Sequence, residues 1–494
     1  MTDVESIFEP SVLDVEYPSI SYLKIGLILR LDSYKFAHPF AYSTKDKICG
    51  MFSYGEARVS SDTPIVPFGL KLFINRYLTQ QITMADVDAA EAFSVAHFGA
   101  KLFARPTWER IVRECNGYLP VIIRAVPEGT VIGGGMPIYS VTAFGEDRFW
   151  LSSAIETMLQ RAVWYPTSVA SNDYSIMRAF KQFYEDTGAD MSMLPFALHD
   201  FGGRGVTCAE QAEIGGAAHL VNFMGSDTVE GILTANHYYH HDMAAFSVYA
   251  TEHSVECSFG KSPEEEIEYL RHQLRTAKSL GLKIVSIVID GYDVMRAARA
   301  LCTDLKDEII ASGVKVVFRP DSGDMMEIVP KILRMQEIAF GYTLTSKGFR
   351  KINYVGIIQG DGVDHLAIKS LLGKLLSYGW SADNVIFGSG GALLQKVNRD
   401  TYKTAQKAAS LYIRGAHGMY WKGISKDPIT DPGKRSKEGV ITLVRDKNTG
   451  KMSYFRLDTE KLPEHLEDMH KLVYHCGKLY NDTTLNEVRE RAAA

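Results

Sequence analysis

A few short stretches of the sequence carry side chains able to do chemistry. Gly388-Ser-Gly-Gly391 follows a short apolar run and precedes the helical pattern Ala392–Val397, with Arg399 about two turns along. Backbone N–H groups at a Gly-rich helix start receive anions, and an arginine fork adds charge. The pattern predicts a phosphate site; a tight turn with no ligand is the alternative reading. Arg319-Pro-Asp321-Ser-Gly323 and Gly360-Asp361-Gly362 offer carboxylates that suit vicinal sugar hydroxyls, although Asp in a Gly-rich turn is also ordinary turn chemistry. Asp290 and Asp293 offer a water-mediated hold on Mg²⁺. No pair of residues demands a general acid–base dyad.

His237-Tyr-Tyr-His240-His241-Asp242 has metal-like spacing but no H-E-x-x-H pattern, and reads as an aromatic and histidine surface. His253 stands alone in Glu252-His253-Ser254 at a predicted strand end, where a site histidine and a core histidine are equal readings. Lys422, Lys426, Lys434, Arg435 and Lys437 punctuate a Gly/Pro/Asp-rich stretch. That stretch reads as a solvated loop, a nucleic-acid or nuclear-localisation patch, or a cationic flap over a polyphosphate.

These residues need elements to hold them. Between about 260 and 400, β-branched runs (Lys283–Ile289, Val314–Phe318, Tyr354–Ile358, Asn384–Phe387) alternate with helical patterns (Val294–Ser312, Met326–Phe340, His365–Leu376). Phe196–Asp200, Val221–Phe223 and Ser247–Thr251, with a helix over Cys208–Leu220, extend the scheme upstream. Roughly seven strand ends between about 196 and 391 each stop in a polar or Gly-rich turn. That favours an α/β barrel with its ligand at the carboxyl ends of the strands. The flanks differ: Val121–Val126, Val131–Ile132 and Ile138–Thr142 read as strands, and Gly439–Arg445 with Met452–Leu457 as a hairpin. We expect a mainly antiparallel sheet domain from residues 1–175 and 400–494, and a barrel domain carrying the active site from 176–399.

The bulk properties narrow the class. The 494 residues are 46% hydrophobic and 23% charged, and 54 Lys+Arg against 59 Asp+Glu give a net charge of −5, which argues against general nucleic-acid binding. Six scattered cysteines without a C-x-x-C pair fit reduced thiols and a cytoplasmic location. The start, MTDVESIFEP, does not read as a secretion leader, and no apolar run is long enough to span a bilayer.

In order, LDSYK (31–35), LHDFGGRG (198–205), HLVNFMGSDT (219–228), EHS (252–254), RPDSGD (319–324), IQGDGVD (358–364), FGSGG (387–391), LLQKVNRD (393–400) and KDP…DPGKRSK (426–437) resemble the nicotinamide phosphoribosyltransferase family. The resemblance runs from about residue 28 to near the C-terminus. It implies a type II phosphoribosyltransferase fold, an irregular α/β barrel beside a mostly antiparallel sheet, in a homodimer with shared active sites. The implied reaction joins nicotinamide to phosphoribosyl pyrophosphate, with Mg²⁺ held by pyrophosphate and water, and serves NAD salvage.

The resemblance also implies roles. Tyr34, from the partner subunit, and Phe201 sandwich the pyridine ring; Asp227 accepts from the carboxamide N–H and Arg319 meets its carbonyl. Asp321, Gly360 and Asp361 match the ribose site, and Gly390, Gly391 and Arg399 the 5′-phosphate cradle. Arg58, Lys407, Lys426 and Lys434 match cations around phosphates, and Arg204 an arginine near the nucleotide. His253 matches a histidine that ATP phosphorylates to improve turnover, and Asp290 and Asp321 stand with it as catalytic candidates. Gly203 stands where a tyrosine is usual, Ala392 where a third glycine is usual, and Ile289-Asp290-Gly291 replaces Ser-Asp-Ser. The rival readings are a nicotinate phosphoribosyltransferase, which Asp227 disfavours, and a catalytically silent binding protein, against which the retained side chains argue.

Overall fold

The computed structural model describes residues 25–494, so the leader reading and the first part of the 1–175 expectation lie outside the described residues. Its centre is a ring of seven parallel strands: β1 (Leu198–Asp200), β2 (Gly225–Ser226), β3 (Tyr249–Ala250), β4 (Ile284–Val288), β5 (Lys315–Arg319), β6 (Val355–Gln359) and β7 (Val385–Ser389). Their order is β2-β1-β7-β6-β5-β4-β3, so strands adjacent in sequence, β7 and β1 included, are neighbours in space. The two edges meet through Phe246, just ahead of β3: its N–H donates to the Met224 carbonyl at 2.8 Å and its carbonyl accepts from Ser226 N–H at 3.3 Å. Two-residue strands at this seam make the α/β barrel irregular. The longer strands are buried almost throughout, as a sheet covered on both faces requires.

Helices wrap the ring, and their starts are fixed by carboxylates. Asp293, Asp324 and Asp364 cap Val294–Cys302, Met325–Phe340 and His365–Ser377. Asp293 therefore spends one oxygen, Oδ1, on the Met295 and Arg296 N–H groups, at 3.0 and 3.1 Å.

Other local expectations shift. Val221–Phe223 is the buried turn after helix Ala209–His219, and the strand falls at Gly225–Ser226. A Cβ at residue 225 would lie 2.6 Å from the His199 ring, so only glycine lets this strand close on β1. Val294–Ser312 breaks into two helices at Thr303–Leu305. The helix expected over Ala392–Val397 is one turn, Gly391–Leu394. There Asn398 takes over the backbone: its Oδ1 accepts the Asp400 N–H at 2.8 Å and its carbonyl accepts from Thr401, which stops the helix before Arg399.

The second sheet is antiparallel and draws on both flanks of the chain. Its order is Gly418–Gly423, Thr404–Gly415, Lys47–Ala57, Pro137–Phe144, Val121–Ala125, Lys471–His475, Lys478–Leu479. The expected hairpin forms over Ile441–Asp446 and Met452–Arg456, and Leu466–Asp468 adds a third strand. One long helix, Glu156–Thr187, serves both cores: Met158, Leu159 and Val163 pack in the sheet's core, Val169, Ile176 and Phe180 in the barrel's.

Candidate active site

The carboxyl ends of β1, β2, β5, β6 and β7 open onto a cleft of about 670 Å³ lined by Phe201, Gly203, Arg204, Asp227, Arg319, Asp321, Gly360, Asp361, Gly390 and Gly391, with Gly205, Thr228 and Glu230 at its margin. Nine of the residues singled out from sequence thus come together from five loops.

The local chemistry explains their placement. Phe201 leaves β1 with its N–H on the Ser389 carbonyl at 2.9 Å, and Asp200 Oδ1 accepts the Gly202 N–H at 2.7 Å, which fixes the turn. The Phe201 ring lies over Gly388: a Cβ there would sit 1.9 Å from Cε2. Gly360 gives Asp321 room in the same way, since a Cβ at residue 360 would be 2.6 Å from its Oδ1. Arg319, largely buried, stands 3.8 Å from Asp321, and its Nε is without a hydrogen-bond partner among the described residues. Asp227 follows β2, accepts a hydrogen bond from Ser247 Oγ at 2.5 Å on one oxygen and is exposed. A Cβ at Gly203 would meet Thr228 Oγ1 at 3.2 Å, so a side chain here would press on the wall of the cleft.

Two histidines hold β1 and β2 from beneath. His219 is fully buried between Asp173 Oδ2 (2.7 Å) and the Gly225 carbonyl (3.0 Å). Both ring nitrogens face acceptors; burial opposes the charge, while Asp173 and Asp200 raise the His219 pKa, and the ring braces β2 through the Gly225 carbonyl. His199 on β1 is pushed down to about 4 by burial and stays neutral. Sequence reasoning missed these supports, as well as Ser247. Asp200 and His199 sit inside the quoted LHDFGGRG stretch, but their supporting role has no sequence signal.

His253 begins the short helix His253–Cys257, and its Nε2 meets Asp290 Oδ1 at 3.0 Å; Asp290 is 3% exposed, His253 46%. The pair adjoins the cleft rather than lining it: Ile289 N–H, next to Asp290, donates to the Arg319 carbonyl at 3.2 Å.

The remaining candidates stand apart within one chain. Arg58, Lys407 and Lys426 form a cationic group on the antiparallel sheet. Burial, with Arg58, Lys426 and Lys35 nearby, lowers the Lys407 pKa against the pull of Glu156. Arg58 Nε lies 3.7 Å from Glu56 and Lys407 Nζ donates to the Gln406 carbonyl at 2.6 Å. Tyr34 is 54% exposed in the turn Ser33–Ala37. Arg399 pairs with Asp400 at 3.1 Å, and Lys434 with Asp431 at 2.9 Å. Of the basic stretch, Lys422 also faces Asp46, Arg435 faces Asp427 and Lys437 faces Glu56, which leaves Lys426 without a carboxylate among the described residues. His237 and His240 are exposed, and His240 meets Asp482. Among the described residues no three His, Cys, Asp or Glu side chains stand together as a metal cage, and no helix is long and apolar enough to cross a membrane.

Comparison with known proteins places this geometry. Residues 196–471 match the nicotinate phosphoribosyltransferase (NAPRTase) family, and residues 26–123 match the nicotinamide phosphoribosyltransferase N-terminal domain. The chain is 40% identical over 474 residues to a nicotinamide phosphoribosyltransferase of Xanthomonas campestris pv. campestris, covering 95% of this chain and 98% of that one. It is 30% identical over 506 residues to a nicotinamide phosphoribosyltransferase of Acinetobacter baylyi, covering 95% and 97%. In fold it is similar to a nicotinate-nucleotide pyrophosphorylase from Pyrococcus furiosus (TM-score 0.61, 15% identity, 97% of each chain). It is similar also to human nicotinic acid phosphoribosyltransferase (TM-score 0.51, 17% identity, 94% of this chain and 92% of that one). The likeness to these structures is one of fold, and the chain belongs to the nicotinate phosphoribosyltransferase family, with the N-terminal domain of its nicotinamide phosphoribosyltransferase members.

Proposed function

We propose that this enzyme transfers the phosphoribosyl group of phosphoribosyl pyrophosphate to nicotinamide, giving nicotinamide mononucleotide and pyrophosphate, as a step of NAD salvage. The observation that carries the reading is the convergence of an aromatic ring, a carboxylate and an arginine (Phe201, Asp227, Arg319) with two further carboxylates and a glycine-rich loop in one cleft. Phe201 offers a flat face for the pyridine ring. Asp227 accepts from the carboxamide NH₂ and repels the carboxylate of nicotinate, so it sets the selectivity. Asp321, Gly360 and Asp361 take the ribose hydroxyls; Gly390 and Gly391 take the 5′-phosphate, with Arg399 reaching it by moving off Asp400, and Arg204 stands near the nucleotide.

The pyridine nitrogen carries a free lone pair, so no base need activate it. It attacks the anomeric carbon as the bond to the pyrophosphate oxygen breaks. Rate then comes from holding the ring in line and neutralising the leaving group. The oxygen-rich cleft fits Mg²⁺ that arrives on the pyrophosphate with water filling its other positions, and the ion would supply charge neutralisation. Arg58, Lys407, Lys426 and Lys434, with Tyr34, complete the site from the partner subunit of a homodimer. His253, oriented by Asp290, accepts phosphate from ATP. Residues 176–399 carry the catalytic unit and 25–175 with 400–484 the sheet unit, while Leu485, Val488 and Ala492 of the C-terminal helix pack in the barrel's core. Free cysteines throughout fit a reducing cytoplasm.

The test is product formation from phosphoribosyl pyrophosphate and Mg²⁺ with nicotinamide and nicotinate in parallel, each with and without ATP. Nicotinamide-only turnover, stimulated by ATP in wild type but not in His253→Ala, is expected. Turnover of nicotinate alone overturns the substrate. For the shared site, a chain carrying Asp227→Ala co-expressed with one carrying Arg58→Ala, Lys407→Ala and Lys426→Ala together, each inactive alone, should recover about a quarter of wild-type activity, the share of intact sites in random dimers; no recovery refutes sharing.

A further inference from the structure

Glu256 is a buried acid that the reaction above does not use. It lies three residues after His253 in the helix His253–Cys257, on the same helical side, and is 2% exposed. Its Oε2 accepts the Gly291 N–H at 3.0 Å, and that N–H belongs to the peptide bond leaving Asp290. A Cβ at residue 291 would stand 2.4 Å from Oε2, so the Glu256 carboxyl fills the volume that any side chain at 291 would occupy. Its Oε1 is buried without a hydrogen-bond partner among the described residues, a cost that packing alone does not explain.

We propose that Glu256 is a positioning residue that holds the Asp290–Gly291 peptide and thereby keeps the Asp290 carboxylate on His253. The inference rests on the reading in which His253 takes phosphate from ATP. The chain of contacts is short: the Glu256 carboxyl grips Gly291 N–H, the preceding residue Asp290 is fixed, and its Oδ1 holds His253 Nε2 at 3.0 Å. The charged and titratable groups around Glu256 are Asp290, His253, Tyr292 with Cys257, and Glu266, which Arg296 neutralises at 2.8 Å. Burial, then Asp290 and Glu266, push the Glu256 carboxyl up to about 7 against the pull of Gly291 N–H and His253. It accepts from Gly291 in either state. Ionised, it adds a second negative charge beside Asp290 and holds the proton on His253; protonated, it releases that proton more readily.

The experiment follows His253 by NMR titration of histidine-labelled enzyme, assigned with His253→Gln, alongside the rate of phosphohistidine formation from ATP. Glu256→Ala should shift the His253 titration in the direction that Asp290→Asn shifts it. It should also slow phosphohistidine formation about tenfold through the rate constant rather than KM for ATP, as a displaced reacting group does. Glu256→Gln keeps an acceptor for Gly291 N–H; it should restore the rate to within about twofold, while the His253 titration loses the contribution of an ionising Glu256 carboxyl near pH 7. Gly291→Ala, which displaces the carboxyl without removing it, should behave as Glu256→Ala. An unchanged His253 titration in Glu256→Ala, or Glu256→Gln as impaired as Glu256→Ala, overturns the proposal. Absence of phosphohistidine in the wild type removes the ATP reading alone, because the NMR titration still decides the positioning.

Discussion

A methyl group at residue 388 tests whether the Phe201 ring is the floor of the nicotinamide site. In Gly388→Ala the new Cβ would lie 1.9 Å from Phe201 Cε2, 2.3 Å from Cδ2 and 2.8 Å from Cζ. The ring must retreat by about 1.5 Å to reach 3.4 Å, the near edge of ordinary contact. The backbone cannot give instead. Phe387 N–H is bonded to the Ala197 carbonyl at 3.0 Å and Phe201 N–H to the Ser389 carbonyl at 2.9 Å, so both sides of the contact are pinned in the β7–β1 ladder. Losing an aromatic pair costs about 0.5–1.5 kcal/mol, which raises KM for nicotinamide roughly two- to tenfold. Displacement of the ring also lowers kcat, and overpacking costs about 1–3 kcal/mol of stability. KM for phosphoribosyl pyrophosphate should change less. The control is Gly356→Ala on β6, whose Cβ would meet nothing closer than Lys315 Cε at 3.4 Å and should leave kinetics and Tm near wild type. A Gly388→Ala enzyme with lowered Tm but wild-type KM for nicotinamide would refute the stacking role.

Asp227→Asn removes a charged acceptor worth about 1.5–3 kcal/mol, so kcat/KM for nicotinamide should fall roughly 10- to 150-fold while discrimination against nicotinate narrows; unchanged discrimination would remove Asp227 as the selectivity residue. Burial pushes both His199 and His470 down to about 4. The unfolded chain takes up protons below about pH 6.5 while these folded rings do not, so urea midpoints should fall steadily from pH 6.5 towards 4. His470→Gln, with its acceptor at the Pro137 carbonyl 3.0 Å away kept in play, should flatten that slope. Lys426→Ala should raise KM for phosphoribosyl pyrophosphate several-fold and weaken its dependence on salt, because the lost contact is a long-range cation.

The barrel was legible because β4 to β7 are near-continuous apolar runs that stop at polar or Gly-rich turns, and the turns after β5, β6 and β7 line the cleft. β2 was misplaced for a physical reason: Gly225-Ser226 has no β propensity of its own, and it pairs only because His199 leaves room for a glycine. The helix after Gly391 was overread because Leu393, Leu394 and Val397 keep helical spacing, while the Asn398 turn that follows it rests on two side-chain bonds, Asp400 N–H to Asn398 Oδ1 and Asn398 N–H to Thr401 Oγ1. The two longest strands of the second sheet, Lys47–Ala57 and Thr404–Gly415, escaped notice altogether. Each is mixed in character, and they pair across some 350 residues of sequence, a register that no local pattern records. The supports of the site were hidden for the same reason: Asp173, His219 and Glu256 are known only by the partners that tertiary packing gives them.

The charge of the cleft shows why its residues alone are not enough for the proposed reaction. Arg204 and Arg319 face Asp227, Glu230, Asp321 and Asp361, two cations against four carboxylates. Such a lining favours sugar hydroxyls and a carboxamide, and it repels a pyrophosphate. The missing positive charge is concentrated instead on the antiparallel sheet, where half-buried Lys407 has its pKa lowered by burial and then by Arg58, Lys426 and Lys35. An anion delivered there relieves the repulsion and raises the Lys407 pKa again, so the cations gain most when the phosphates are present. Two surfaces of opposite character, each unfavourable alone for its own groups, become favourable when a zwitterionic assembly of sugar, metal and polyphosphate lies between them. That complementarity supports the proposal that a second copy of the chain, presenting its sheet to this barrel, completes the site.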